Sequence, residues 1–149
     1  MNDTIQKLLA TNKGLLALDW SKNTISKKFA EVGLTSTPEL DRIYRQMLLI
    51  TPGVENFISG VIFYDETVRQ KLDSGLSFPE HLVKLGIVPG IKVDLGGEKF
   101  ASSDGEVTLG LGGLDGRLKE YSGMGLKFTK WRAVFKIGDI YPTKDFLEE

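Results

Sequence analysis

The sequence predicts an α/β protein built on a parallel sheet, and three observations carry that reading. The runs Gly14-Leu15-Leu16-Ala17-Leu18-Asp19, Ile58-Ser59-Gly60-Val61-Ile62-Phe63-Tyr64-Asp65 and Pro89-Gly90-Ile91-Lys92-Val93-Asp94 are almost continuously apolar, as strands buried on both faces of a helix-covered sheet must be. Segments with helical spacing lie between them, which is the alternation of an α/β fold. Each run closes on an aspartate, which falls at the carboxyl edge of the sheet, where parallel α/β folds build their sites.

In chain order, Thr24 to Val32 reads as a helix ended by Gly33. Thr37-Pro38-Glu39 opens a second, whose apolar positions Leu40, Ile43, Tyr44, Met47 and Leu48 fall on one stripe. Glu66 to Leu72 and Pro79 to Leu85 are shorter helices, the latter stopped by Gly86, and Asp65 is placed as a helix cap. Leu114 to Met124 is another helix, flanked by glycines. Phe128 to Lys136 reads as a fourth strand with an unusual load: alternation puts Lys130, Arg132, Val134 and Lys136 on one side. Solvated charges would explain such a face, and so would a site. Residues 142–149, with a proline and acids near the start, read as the first turns of a further helix.

Composition excludes more than it assigns. With 19 basic and 20 acidic side chains among 149 residues, no basic surface for nucleic acid or anionic membrane is expected. There is no cysteine, so no disulfide and no thiol chemistry. The single histidine, His81, lacks the convergent donors a metal site needs and reads as a packing or surface residue. No apolar run approaches the ~20 residues of a membrane span, and the N-terminus is too polar for a signal peptide. A soluble intracellular protein is the expectation. Length leaves two architectures open: a small open doubly wound sheet, or part of an eight-stranded barrel, which typically takes ~250 residues.

Five segments carry a family resemblance. Residues 14–19, Tyr44-Arg45-Gln46-Met47-Leu48, Ser59 to Thr67, Gly90-Ile91-Lys92-Val93-Asp94 and Phe128-Thr129-Lys130-Trp131-Arg132 follow the order and spacing of class I fructose-1,6-bisphosphate aldolase, from about Leu8 onward. The resemblance implies a (β/α)8 TIM barrel, of which residues 1–149 would be the N-terminal part of a single domain, a half barrel of four parallel strands with flanking helices.

It also implies roles, residue by residue. Asp19 would handle a substrate hydroxyl beside the Schiff-base lysine, although as a residue it would serve equally as a helix cap. Lys130 would support proton transfer and carbon–carbon cleavage, and Arg132 would bind a substrate phosphate, for which a planar guanidinium offers two parallel hydrogen bonds. Lys92 would line the site; its bland reading is an ion pair with Asp94, itself read as structural. Ser21 and Thr24 would touch phosphate or cap the next helix, and Lys27 and Lys28 stand where the family has a basic pair. Two positions depart from the family: Trp20 and Gly112 replace acids.

The implied substrates are fructose 1,6-bisphosphate and triose phosphates, cleaved and re-formed in glycolysis and gluconeogenesis in the cytoplasm, with no cofactor and no metal. The family's Schiff-base lysine comes from a later strand, so the chain alone is expected to be inactive as an aldolase. Exposed edge strands near Asp19 and Lys130 would favour pairing with another chain. The chain is therefore expected to be a fragment, the N-terminal half of a split enzyme joined by a C-terminal half-barrel chain or a homo-oligomer, or a non-catalytic sugar-phosphate-binding half barrel.

Overall fold

The computed structural model of the protein describes residues 3–99 and 106–148. In chain order its elements are α1 (Asp3–Leu8), β1 (Gly14–Leu18), α2 (Lys22–Glu31), α3 (Pro38–Leu49), β2 (Ile58–Phe63), α4 (Asp65–Val68), α5 (Phe78–Lys84), β3 (Val88–Lys92), β4 (Gly97–Lys99), β5 (Glu106–Thr108), α6 (Leu114–Gly123), β6 (Phe128–Lys130) and α7 (Lys144–Glu148), with one 3-10 turn at Val54–Asn56. The main sheet has the order β1-β2-β3-β6, every pair parallel, and β4 and β5 form a separate antiparallel hairpin.

That order settles the choice left open above. A doubly wound sheet reverses its strand order at a switch point, whereas here each strand is laid beside the one before it. The sheet also curls. Three inter-strand spacings of ~4.8 Å would hold β1 and β6 ~14 Å apart if the sheet were flat, yet the ammonium of Lys130 reaches the carboxylate of Asp19, just beyond β1, at 2.5 Å. Consecutive parallel strands curling towards one face are the geometry of a barrel wall.

Local chemistry starts the helices. Ser21 caps α2, its hydroxyl accepting from the Thr24 N–H, and Thr37 caps α3 with Pro38 in the first turn. Ser77 and Glu80 form a complete capping box on α5. The outward face of the sheet then packs on the helices: Leu18, Val61, Phe63, Ile91 and Val93 join Leu49, Val68, Phe78, Leu82 and Tyr121 in one buried cluster.

The inward face is built by close approach. A Cβ on Gly90 would lie 2.4 Å from the Phe128 ring, and one on Gly60 would lie 2.6 Å from Leu8 of α1 and 2.9 Å from Leu15. Glycine at both places lets large side chains lie directly on the backbone. The Ser59 hydroxyl donates to the Leu8 carbonyl at 2.8 Å and holds α1 there.

Four sequence expectations are corrected. The strand foreseen over residues 128–136 pairs only through Lys130, because its partner β3 itself ends at Lys92; Val134 instead bridges Glu106, and Lys136 lies over the Tyr141 ring. β1 is not buried on both faces, and Leu15 is 49% exposed. Asp65 does not cap α4, whose N-cap is Tyr64; it accepts from Arg69 and from the Tyr121 hydroxyl. The apolar stripe of α3 is not its buried face: Ile43 and Met47 are exposed, while Asp41, Arg45, Gln46 and Leu49 are buried. Two elements, α1 and the β4–β5 hairpin, were not expected at all. The foreseen last helix is α7, with Glu149 outside the described residues.

Candidate active site

Inward-facing positions at the carboxyl ends of the strands converge on one cleft of about 630 Å³. Alternation puts Ala17 and Asp19, Tyr64, Lys92 and Asp94, and Lys130 and Arg132 on the same side of the sheet, and all of them line it. The β1–α2 turn adds Trp20, Ser21, Asn23 and Thr24.

Two ion pairs organise the floor. Lys130 Nζ meets Asp19 Oδ2, closing the two outer strands on each other. Lys92 Nζ meets the buried carboxylate of Asp94 and also donates to the Asp94 carbonyl at 3.0 Å. Asp94 accepts besides from the backbone N–H groups of Gly96 and Arg132, both at 3.2 Å, so it ties β3 to the segment that follows β6. Burial pushes the Asp94 carboxyl up, but the Lys92 ammonium and the two N–H groups outweigh it and leave the group below the usual carboxylate range. Asp94 is therefore an anion that places both Lys92 and Arg132.

Arg132 differs from the lysines. Its side chain is exposed at the cleft, and its guanidinium has no hydrogen-bond or ion-pair partner among the described residues. Counting formal charges over Asp19, Asp94, Lys92, Lys130 and Arg132 gives a surplus of one cation, which sits on the unpaired guanidinium. Such a group is suited to an anion with planar oxygen pairs.

The matching family model, "Fructose-bisphosphate aldolase class-I", covers residues 1–149. The chain belongs to the class I fructose-bisphosphate aldolase family. It is 47% identical over 147 residues to a probable fructose-bisphosphate aldolase class 1 of Xanthomonas axonopodis pv. citri, an alignment spanning 98% of this chain and 44% of the relative. It is 42% identical to a cytosolic fructose-bisphosphate aldolase of Arabidopsis thaliana, over 92% of this chain and 35% of that one. A solved structure, the Plasmodium falciparum fructose-bisphosphate aldolase in ternary complex with TRAP and a small-molecule inhibitor, superposes with a TM-score of 0.91 at 41% identity, over 98% of this chain and 43% of the other. The chain thus spans less than half the length of the aldolases it matches, and its four strands are a partial barrel.

Of the aldolase-site residues read from the sequence, the fold brings together Asp19, Ser21, Thr24, Lys92, Lys130 and Arg132. Ser21 caps α2, its hydroxyl accepting from the Thr24 N–H and lying 3.1 Å from the Thr24 hydroxyl, and both residues line the cleft. Lys92 likewise makes the local ion pair and faces the site. Lys27 and Lys28 are not brought in; both are exposed on α2 away from the cleft lining, and Lys28 pairs with Glu31 at 3.0 Å. On α2, residues 27 and 28 stand one to two turns beyond Ser21, too far along the helix to face the strand ends.

Sequence reasoning left Asp94 as structural and passed over Tyr64 and Asn23 as site residues. Alternation from Gly60 and Ile62 would have placed Tyr64 inward; of the partners of Asp94, Lys92 and Gly96 are local, and only the Arg132 N–H comes from a distant segment. His81 makes a packing contact, its Nε2 meeting the Leu49 carbonyl at 3.1 Å. A Cβ at Gly112 would meet nothing within 4 Å, so close packing does not require glycine there. Trp20, the other departure, stacks on Tyr44 of α3 with 6.1 Å between ring centroids.

Proposed function

We propose that this chain supplies the Asp19–Lys130 pair and the Arg132 phosphate site of a class I, Schiff-base aldolase that reversibly cleaves fructose 1,6-bisphosphate to dihydroxyacetone phosphate and glyceraldehyde 3-phosphate in glycolysis and gluconeogenesis. The observation that carries this reading is the meeting of a carboxylate, an ammonium and an unpaired guanidinium in one cleft at the strand ends. Cleavage needs a base for a substrate hydroxyl proton and an acid for the proton that returns; a lysine held against an aspartate at 2.5 Å offers both partners. Arg132 anchors a phosphate by charge-assisted hydrogen bonds, with Ser21 and Thr24 as further donors across the cleft. On this reading the nucleophilic lysine comes from a later strand of the barrel, and Lys92 and Lys130, each held by a carboxylate, have other roles. The chain alone therefore binds sugar phosphate and does not form the covalent adduct. The cytosolic name of the Arabidopsis relative supports a cytoplasmic setting.

Calorimetric titration of the chain with fructose 1,6-bisphosphate tests the binding half: heat of binding is expected, with a strongly weakened affinity in Arg132→Ala, and no heat with any sugar phosphate sinks it. Borohydride reduction with dihydroxyacetone phosphate tests the other half. No trapped adduct is expected, and an adduct on Lys92 or Lys130 would reverse the assignment of roles.

A further inference from the structure

Arg45 is 1% exposed, in the middle of α3, yet it belongs to neither ion pair of the cleft. Its guanidinium donates to the Trp20 carbonyl at 3.3 Å, to Gln70 Oε1 at 3.3 Å and to Glu66 Oε1 at 3.4 Å. A buried guanidinium is a poor device for stability alone, because an apolar side chain of similar size stabilises a core as well or better without the desolvation cost. What the guanidinium does that an apolar side chain cannot is hold a main-chain oxygen, and the oxygen it holds lies between Asp19 and Ser21.

A second contact from the same helix converges on the same residue. The Tyr44 ring stacks on the Trp20 indole at an interplanar angle of 11°, and Phe29 of α2 braces Tyr44 edge-on at 5.5 Å. Behind Trp20 lies a cavity of about 260 Å³, lined on its α3 side by Tyr44, Arg45 and Leu48. Room on that side means that packing alone does not immobilise the turn, and the directional contacts must do so. Trp20 is thus gripped at its carbonyl by one α3 residue and at its ring by the neighbouring one.

We infer that Arg45 is a positioning residue of the cleft: by holding the Trp20 carbonyl while Tyr44 holds the indole, it sets the Asp19–Trp20–Ser21 turn so that the Asp19 carboxylate meets Lys130. Lys92 provides an internal control, because its partner Asp94 is held by Lys92 itself and by the N–H groups of Gly96 and Arg132, none of them on α3. The assignment deepens the proposed function only in giving Asp19 and Lys130 their catalytic meaning; the geometry can be tested without substrate.

The test is per-lysine acetylation kinetics on the full chain, using limiting acetic anhydride and mass spectrometry, in the wild type, Arg45→Met, Arg45→Lys and Asp19→Asn. Asp19→Asn sets the scale by exposing Lys130 outright. Arg45→Met is expected to raise the Lys130 rate relative to Lys92 roughly fivefold, the factor matching loss of about one net hydrogen bond. Adding Arg45→Met to Asp19→Asn gives no further rise, since both act on one pair. Arg45→Lys, which keeps a charged donor group in place of the guanidinium, recovers most of the protection. An unchanged Lys130-to-Lys92 ratio, or an equal rise at both lysines as general loosening would produce, overturns the inference. If circular dichroism shows Arg45→Met unfolded, Tyr44→Leu carries the same test with a rise of roughly twofold, stacking being the weaker contact. Absence of sugar-phosphate binding with the expected labelling pattern would count against the proposed function and leave this inference standing.

Discussion

The two faces of the parallel sheet are made from the same four strands under different constraints. On the helix-covered side Leu18, Val61, Phe63, Ile91 and Val93 are all at most 5% exposed. On the other side Leu15 is half exposed, glycines at 60 and 90 make room for neighbouring rings and methyls, and the upper end carries two aspartates, two lysines and an arginine. The first face is stabilised by area removed from water, which is indifferent to direction. The second is held by directional pairs in a cleft, where the position of each charge matters more than the area covered. One face therefore contributes chiefly through burial, and the other chiefly through the placement of charge.

Substitutions on the two faces should separate accordingly. The largest effect is expected from Phe63→Ala on the helix side, where a fully buried ring 6.3 Å from Phe78 is lost; urea unfolding should show a destabilisation of about 3–5 kcal/mol. Gly90→Ala strikes the inner face by overpacking, since the new Cβ would meet the Phe128 ring. A cost of about 1–3 kcal/mol is expected, relieved in Gly90→Ala/Phe128→Leu, and a double variant no better than the single would show that the ring is not the obstacle. Arg132→Ala should move binding and not folding: unfolding midpoints change by less than about 0.5 kcal/mol, while affinity for fructose 1,6-bisphosphate falls by about 1.5–3 kcal/mol. A stability loss larger than the affinity loss would erase the distinction between the faces.

Two smaller effects refine it. The Asp94 carboxyl is lowered in the folded protein, so its contribution is present above its unfolded value of about 3.9 and is lost as pH falls through the lower folded value. Stability measured from pH 5 down to pH 2 should drop less steeply in Asp94→Asn than in the wild type; equal slopes would mean that Lys92 and the two N–H groups do not hold the anion. At the bottom of the scale, Lys119→Ala removes an exposed pair with Asp115 on α6 and should change stability by less than about 0.5 kcal/mol.

Legibility in the sequence followed the range of the interactions. The start of α3 could be read because Thr37 and Pro38 act within one turn, and the end of α5 because Gly86 follows it with a positive φ. β2 and β3 could be read because burial on both sides demands unbroken apolar runs. The buried face of α3 could not, because Arg45 and Gln46 find partners 25 to 27 residues away, in Trp20, Gln70 and Asp73. The paired length of β6 was misjudged for the same reason, as it is decided by where β3 stops.

The sequence by itself determined the alternation of strands and helices, the placement of charged residues at strand ends and the family they resemble, since these depend on local periodicity and on motif order. Only the tertiary structure decided that Asp19 meets Lys130 across the sheet, that Asp94 places Lys92 and Arg132, that Lys27 and Lys28 stay outside, and that α3 turns a polar face inward. Those outcomes depend on the curl of the sheet and on contacts between residues as much as 111 positions apart, which local periodicity does not encode.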